Sequence, residues 1–194
     1  MRVIAGSARR RNLVCPSGNR TRPTTDRIKE TLFNILQQEV PDCRFLDLFS
    51  GSGGIGIEAL SRGAREAVFV ERDREAVSCI KTNIKNTGFE DRSRVMAMDA
   101  LQALRRLEQL GAPFDLVFLD PPYERGFEEQ VIPFLVASHL VKGGSLIVLE
   151  TTLARGEELS GEGYLADTGK VVLERYKDYK TNSHLFYRIL REEA

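Results

Sequence analysis

Four residues suited to chemistry stand at the end of one apolar segment. The run Phe114–Leu119 is followed at once by Asp120-Pro121-Pro122-Tyr123. A carboxylate, two stiff prolines and an aromatic ring suit a flat base that carries an exocyclic amine, because the prolines leave backbone carbonyls available as acceptors. Ligands of open α/β sheets bind at the carboxyl ends of strands. The run predicts a catalytic site, and the alternative is a loop that only ends a strand, with Tyr123 packed as a lid.

A glycine-rich loop follows a second apolar run, Phe45–Phe49. Gly51-Ser52-Gly53-Gly54-Ile55-Gly56 leads from that run into a helical pattern, and Glu71 stands twenty residues after Gly51. Glycines let the backbone approach a ligand, and an acidic side chain at this distance can accept both hydroxyl groups of a ribose. The loop therefore predicts a cofactor that contains a nucleoside.

Two cofactors compete for this loop, a dinucleotide and S-adenosylmethionine. Asp47, four residues before Gly51, would repel a pyrophosphate, whereas a carboxylate there suits an ammonium or sulfonium group. Asp99 either accepts a hydrogen bond from an adenine amine or caps a helix that begins at Ala100, and both roles are compatible. The balance favours S-adenosylmethionine.

The length and composition describe an ordinary globular chain. A chain of 194 residues with 42% hydrophobic residues is most simply one domain, and no apolar run reaches membrane-spanning length. The three cysteines, which are distant from one another, indicate a reducing compartment, and we expect a cytoplasmic protein. With only two histidines and no close cysteine pair, the sequence predicts no metal site.

The net charge of zero conceals an uneven distribution. Residues 1–30 hold eight Lys or Arg side chains against two carboxylates, so the rest of the chain is acidic. A basic arm on an acidic body is what a nucleic-acid phosphate backbone attracts. The alternative is a solvated arm without a partner.

Apolar periodicity predicts an alternating order of strands and helices. Short continuous apolar strands separated by helices indicate a parallel sheet covered on both faces. The predicted strands are 44–49, 66–71, 93–97, 114–119 and 144–150, and the predicted helices are 54–63, 73–86, 100–110 and 125–138. Before them we expect a short β-hairpin, 1–5 with 12–15, and a helix capped near Thr24, Thr25 and Asp26. The stretches 170–179 and 184–190 are predicted to form a closing antiparallel pair.

These motifs resemble those of a known class of enzymes. Asp47-x-x-x-Gly51-x-Gly53, Glu71, Asp99 and Asp120-Pro121-Pro122-Tyr123 are similar to the motifs of class I S-adenosylmethionine-dependent methyltransferases that modify exocyclic amines. The run Arg22–Asn34, together with Ile4-Ala5-Gly6, narrows the resemblance to the bacterial RsmD-type family. The resemblance spans nearly the whole chain.

The resemblance implies a fold, a reaction and a substrate. The fold would be α/β and Rossmann-like, with a seven-stranded, mostly parallel sheet whose last strand is antiparallel. A methyltransferase domain at 41–194 would follow an extension at 1–40 that carries the hairpin and a helix. The reaction would transfer a methyl group from S-adenosylmethionine to the N2 amine of a guanine, conventionally position 966, in 16S rRNA. The implied partner is this RNA within an assembling small ribosomal subunit, and the default state is a monomer.

The motifs assign roles to individual residues. The catalytic residues would be Asp120, Pro121, Pro122 and Tyr123. The cofactor-binding residues would be Asp47, Phe49, Gly51, Ser52, Gly53, Gly56, Glu71, Arg72, Asp99, Ala100, Thr25 and Arg27. The RNA-binding residues would be Arg9, Arg10, Arg11, Arg20 and Arg22, although the segment 22–27 could instead fold over the cofactor.

Three other functions remain open from the residues. An adenine-N6 methyltransferase acting on DNA or RNA would use the same Asp-Pro-Pro-Tyr run, although no separate target-recognition domain for duplex DNA is evident. A nicotinamide oxidoreductase is disfavoured by Asp47, and a non-catalytic RNA-binding module would not need the glycine loop.

Overall fold

The computed structural model describes residues 1–17, 26–122, 126–161, 165 and 168–190. The chain divides into two compact units, Met1–Ala103 and Leu104–Ala194, and the domain boundary expected after residue 40 stays a prediction. In chain order the elements are α1 (Asp26–Ile35), β1 (Arg44–Leu48), α2 (Gly54–Ser61), β2 (Glu66–Glu71), α3 (Arg74–Thr87), β3 (Ser93–Ala97), α4 (Ala100–Glu108), β4 (Phe114–Leu119), α5 (Phe127–Ala137), β5 (Val141–Thr151), α6 (Leu153–Ser160), β6 (Val171–Asp178) and β7 (Ser183–Ile189). Among the described residues, no helix has the length and apolar character that crossing a bilayer requires.

The strands form a seven-stranded sheet in the order β3-β2-β1-β4-β5-β7-β6. The pairs β1–β2, β2–β3 and β4–β5 are parallel, and β7 runs antiparallel to both β5 and β6. This arrangement confirms the predicted fold class, a mostly parallel sheet with an antiparallel closing strand. The five strands predicted between residues 44 and 150 are all present.

The first unit places the glycine loop at the carboxyl end of β1. Phe45, Leu46 and Leu48 on β1 are fully buried, as expected for a strand covered on both faces. The loop then leads into α2, all eight residues of which are buried. Because α2 has no solvent face, it is held against the sheet and fixes the position of the loop.

Capping residues set the ends of α3. The Asp73 side chain accepts a hydrogen bond from the Ala76 N–H at 2.9 Å, and Gly88 ends the helix in a left-handed conformation with φ 74°. An acidic cap at the first turn and a glycine after the last turn are the usual boundary residues of a helix. The carboxyl end of β2 is thereby connected to a helix whose start is well defined.

The second unit is organised around β4, β5 and β7. Leu116–Leu119 pair in parallel with Leu146–Leu149, and the side chains of both runs are buried. The Asp120-Pro121-Pro122 segment follows β4 directly, and Thr152, which caps α6, follows β5. Both connections therefore begin at neighbouring strand ends within this unit.

The predicted N-terminal hairpin is only partly correct. The two segments do turn back on each other, but they form one antiparallel bridge, Arg2 with Asn12, and no strand. The reason lies in the turn, where the Arg11 N–H donates to the Ala8 carbonyl at 3.1 Å and the Arg10 N–H donates to the Val3 carbonyl at 2.9 Å. The pairing therefore shifts by one residue, and the regular ladder stops after one bridge. The N–H groups of Ile4 and Ala5 donate to the Glu58 carboxylate at 2.8 and 3.0 Å.

Helix α6 was not predicted from the sequence. Its eight residues include Gly156, a residue that lowers helix propensity. A Cβ atom built on Gly156 would lie 2.6 Å from Ser183 Oγ and 2.7 Å from Ser183 Cβ. The glycine is thus explained by the close approach of α6 to β7, a tertiary contact that local sequence does not reveal.

Candidate functional site

The glycine loop presents open space on one side. Gly51 adopts φ 54°, and a Cβ atom built on it would meet no atom within 4 Å. Its N–H donates to Glu71 Oε2 at 2.9 Å, so the ends of β1 and β2 are linked at this point. Because the backbone is exposed here without a side chain, a ligand can approach it closely.

The other glycines of the loop pack against the protein. A Cβ atom on Gly56 would lie 2.4 Å from a ring carbon of Phe69, and one on Gly53 would lie 3.3 Å from Ile80. These two glycines let α2 lie close to the sheet, as the later glycines of such loops do. Ser52 is buried beside them, and the cofactor roles assigned to the three residues stay predictions.

Asp47 is a buried carboxylate beneath the loop. Its Oδ2 accepts a hydrogen bond from the Gly56 N–H at 2.9 Å, and the residue is 2% exposed. Desolvation raises the pKa of Asp47 to about 7, partly opposed by the Gly56 hydrogen bond and assisted by the nearby charge of Glu71. A carboxyl group that is costly to ionise gains from a positive ligand group nearby.

Phe49 has a backbone conformation that is rare for an aromatic residue. Its φ is 62°, in the left-handed region that large side chains disfavour. Strained backbone is often retained at binding sites. The position of Phe49 between β1 and Gly51 is consistent with its predicted place in the cofactor site.

Glu71 is oriented by backbone donors at the end of β2. Its Oε1 accepts from the N–H groups of Arg72 and Asp73 at 2.8 and 2.9 Å, while Oε2 accepts from Gly51. The carboxylate is half-buried and Arg72 is exposed. These bonds fix the direction of the side chain and leave further lone pairs, so Glu71 suits the predicted ribose contact.

Asp99 acts as a helix cap. Its Oδ1 accepts from the Leu101 N–H at 3.0 Å, and α4 begins at the next residue, the buried Ala100. The capping role considered from the sequence is therefore present. The adenine contact remains a prediction, because a carboxylate has a second oxygen that can accept another donor.

Two polar residues that the sequence did not single out anchor the N-terminal segment. Buried Glu58 binds Lys29 Nζ at 3.3 Å as well as the Ile4 and Ala5 N–H groups. Burial lowers the pKa of Lys29, although Glu58 opposes this shift. The feature that marks Glu58 as important is its burial together with Lys29, and burial of such a pair cannot be seen in a sequence.

Asn83 makes the second anchor, at the glycine loop. Its side chain bonds to the backbone of Val14 in both directions at 2.8 Å, and Nδ2 also donates to the Ser52 carbonyl at 2.9 Å. One buried amide thus joins the N-terminal segment to the loop that is proposed to hold the cofactor.

Some of the predicted RNA-binding arginines lie among the described residues, and others do not. Arg9, Arg10 and Arg11 are exposed, and so is Arg27 on α1. Their exposure leaves them able to meet a phosphate. Four predicted site residues lie outside the described residues, namely Arg20, Arg22, Thr25 and Tyr123.

The catalytic run lies in the second unit at the end of β4. Asp120 is half-buried, Pro121 is buried and Pro122 is exposed. Since Leu119 pairs with Leu149, the next residue of the neighbouring strand is Glu150. That carboxylate binds His184 Nε2 at 3.0 Å and Asn182 Nδ2 at 2.6 Å, which gives the end of β5 a fixed polar framework.

A cavity of about 220 Å³ borders the same run. Its walls come from the start of α5, the end of β5 and the first turn of α6. The lining residues are Pro121, Gly126, Glu128, Glu129, Thr151, Thr152 and Arg155. Only Pro121 among them was assigned from the sequence, because the others have no motif.

The residues of the first unit fit S-adenosylmethionine. Open space at Gly51 accommodates a ligand against the backbone, Glu71 offers acceptors for hydroxyl groups, and Asp47 offers a buried carboxyl group whose ionised form a positive ligand group would favour. A pyrophosphate would meet two carboxylates instead. The chemistry of this donor set therefore matches a cationic nucleoside better than a dinucleotide.

Comparison with known proteins identifies the family. A family model described as "Conserved hypothetical protein 95" matches residues 1–187. The Ribosomal RNA small subunit methyltransferase D of Escherichia coli (strain K12) is 40% identical over 156 residues, which cover 80% of this chain and 77% of that protein. The chain belongs to the RsmD-type methyltransferase family.

Other proteins that this chain is similar to agree in sequence and in structure. The Haemophilus influenzae protein of the same name is 38% identical over 152 residues, covering 78% of each chain. The solved structure of the Escherichia coli protein yhhF has a TM-score of 0.82 and 33% identity, covering 99% of both chains. The family resemblance stated from the motifs is thereby confirmed.

Proposed function

We propose that this protein transfers a methyl group from S-adenosylmethionine to the N2 amine of guanine 966 in 16S rRNA. The proposal rests most on Asp120-Pro121-Pro122 directly after β4, in a chain of the RsmD-type family. The relatives named for small-subunit rRNA methylation support an rRNA substrate. The orientation of Glu71 and the burial of Asp47 support the choice of methyl donor.

The target amine is a weak nucleophile, because its lone pair is delocalised into the purine ring. When bound, S-adenosylmethionine supplies an electrophilic methyl group on a positively charged sulfur. Asp120 and the Pro121 carbonyl accept the two amine hydrogens and hold the nitrogen lone pair toward the methyl group. Positive charge develops on the nitrogen as the new N–C bond forms and the S–C bond breaks, so both acceptors bind the transition state more strongly than the ground state.

The proton released from nitrogen leaves through Asp120 or to solvent. Tyr123, outside the described residues, is proposed to stack on the base, a contact worth about 1–3 kcal/mol. A base within a helix cannot reach such a pocket, so the target is unpaired or turned out of its stack. The exposed Arg9 and Arg11 then bind neighbouring phosphates.

Replacement of Asp120 by Asn tests the catalytic assignment. We expect methyl transfer to fall by at least 100-fold, because an acceptor that stabilises the developing charge becomes neutral. Tritiated methyl transfer to 16S rRNA measures the rate, and calorimetry should show nearly unchanged binding of S-adenosylmethionine. Asp115→Asn is a matched control on β4, the strand that Asp120 follows, since Asp115 pairs with Lys142 at 2.7 Å and is not assigned a role in transfer. Retained turnover in Asp120→Asn would show that Asp120 is not catalytic.

The substrate itself is tested by offering alternatives. Free 16S rRNA, assembled small subunits and DNA are each incubated with tritiated donor, and the products are digested to nucleosides. The proposal expects N2-methylguanosine from the rRNA or the subunits. N6-methyladenosine would instead establish the adenine-specific alternative.

A further inference from the structure

The cavity beside Pro121 is large enough for the reacting base. It holds about 220 Å³, and an apolar cavity of about 150 Å³ is known to hold a benzene ring. A purine has two fused rings, so the space suits one base. Because the cavity borders the proline whose carbonyl is proposed to bind the amine, it is placed to receive the rest of that base.

The polar wall of this cavity is dominated by carboxylates around one arginine. Arg155 Nε binds Glu128 Oε1 at 2.9 Å, Nη1 binds Glu158 Oε2 at 2.7 Å, and Nη2 binds Glu129 Oε1. These hydrogen bonds raise the pKa of Arg155, so it stays charged. Two of the three carboxylates, Glu128 and Glu129, line the cavity together with Arg155, so the wall has net negative charge and favours ligand groups that donate hydrogen bonds.

The three carboxylates are not equivalent. Glu128 is buried, whereas Glu129 and Glu158 have side chains 59% and 66% exposed. Glu129 lines the cavity and Glu158 does not. Glu129 therefore combines a position held by Arg155 with access to a ligand inside the cavity.

Purines differ at the edge that such a carboxylate would meet. Guanine presents an N1–H donor next to its N2 amine, while adenine and 2,6-diaminopurine present a bare N1 acceptor. A carboxylate accepts hydrogen bonds and donates none. It therefore binds the guanine edge and repels a purine whose N1 carries a lone pair.

We propose that Glu129 reads the N1–H of the target guanine and so makes the site specific for guanine. This inference rests on the proposed methyl transfer, since it assigns the amine to Asp120 and Pro121 and the adjoining ring nitrogen to Glu129. Arg155 acts as a positioning residue that holds the Glu129 carboxylate. Selection of guanine over adenine then comes from the N1 position of the base edge, which the Asp-Pro-Pro-Tyr run alone does not contact.

An analogue of guanine separates recognition from chemistry. RNA carrying 2,6-diaminopurine at the target position keeps the N2 amine but has no N1–H. We expect the wild-type protein to methylate the guanine RNA at least tenfold faster, because the carboxylate faces a lone pair in the analogue. Glu129→Gln should narrow this ratio about tenfold, since its amide can donate to N1 as well as accept from N1–H.

Glu158→Gln is the matched control. It removes the same charge from the same arginine, at a residue of similar exposure that does not line the cavity, and should leave the base ratio unchanged. The assignment to Glu129 would be overturned if Glu129→Gln kept the wild-type ratio of methylation rates between guanine RNA and diaminopurine RNA. It would also be overturned if both variants lowered this ratio equally. Absence of any transfer to guanine RNA by the wild-type protein would overturn the proposed function together with this inference.

Discussion

Asp47 shows how one buried carboxyl group shapes the cofactor loop. Its side chain is enclosed beneath the loop and bonded to the Gly56 N–H, and desolvation raises its pKa to about 7. The acidic type and the spacing to Gly51 were evident from the sequence. The extent of burial was not, because it depends on how closely α2 packs against the sheet at Gly56 and Phe69.

Replacement of Asp47 by Asn should alter the pH dependence of stability. The pKa of Asp47 in the folded chain lies above its ordinary value of 3.8, so the unfolded chain loses this proton at lower pH. The contribution of Asp47 to the free energy of unfolding is therefore largest below about pH 4. It declines as the pH rises and reaches its minimum above about pH 7. The Asn variant should lack this decline, which is on the order of 3 kcal/mol. Urea unfolding at pH 4.5, 6 and 8 measures it.

Asp42→Asn serves as the control for this measurement. Asp42 is exposed and has φ 59°, a conformation that asparagine adopts readily. This variant should keep the wild-type dependence on pH. A decline of equal size in the Asp47 variant would mean that another group is responsible.

The positions of Asp120, Glu71 and Gly51 at or just after strand ends could be predicted, because each belongs to a recognisable motif, and their roles stay predictions. The anchoring by Glu58 and Asn83 could not, because it runs through backbone groups of Ile4, Ala5, Val14 and Ser52. No local pattern relates such distant donors and acceptors.

At the scale of elements, apolar periodicity was sufficient for the parallel strands. Most of them contain a buried apolar run, and the observed bounds differ from those predicted by a few residues at most. The hairpin was misjudged because hydrogen bonds of Arg10 and Arg11 in its turn shift the pairing after one bridge. Helix α6 was misjudged because Ser183, a tertiary neighbour, requires a glycine within it.

Gly156→Ala should destabilise the second unit. The added methyl group would overlap Ser183 and come within 3.2 Å of Tyr176, so α6 must move from β6 and β7. Overpacking of this kind costs about 1–3 kcal/mol, which outweighs the better helix propensity of alanine. Thermal and urea unfolding both measure the change.

Glu157→Ala is the companion variant on the same helix. Glu157 is exposed, so its replacement should change stability by less than about 0.5 kcal/mol. If the Gly156→Ala protein were as stable as the Glu157→Ala protein, α6 could shift without loss of stability.

Over the whole molecule, the charge is unevenly divided between the N-terminal segment and the acidic remainder. The first 30 residues are strongly basic while the chain is neutral in sum. Arg9 and Arg11 are exposed on a segment that Glu58 and Asn83 fix in place. Fixed cations lose less freedom on binding phosphate than a disordered arm would.

Replacement of Arg9 and Arg11 by Gln should weaken RNA binding and flatten its dependence on salt. Each lost phosphate contact should reduce the slope of log affinity against log salt by about 0.7 for single-stranded RNA. Fluorescence anisotropy over a salt series measures the slope, and calorimetry should show unchanged binding of S-adenosylmethionine.

Arg105→Gln with Arg106→Gln removes the same charge from an exposed turn of α4. This control should bind RNA with nearly the wild-type slope. Equal flattening in both double variants would mean that net charge, and not the N-terminal position, governs the affinity.

The placement of β7 between β5 and β6 has a consequence for synthesis on the ribosome. β6 leaves the exit tunnel first, yet its partner in the sheet is β7, which follows it in the chain. β6 therefore stays unpaired until β7 has emerged. Unpaired strands are prone to wrong association. The exposed residues of β6 include Glu174, Arg175 and Lys177, and their charges discourage such association.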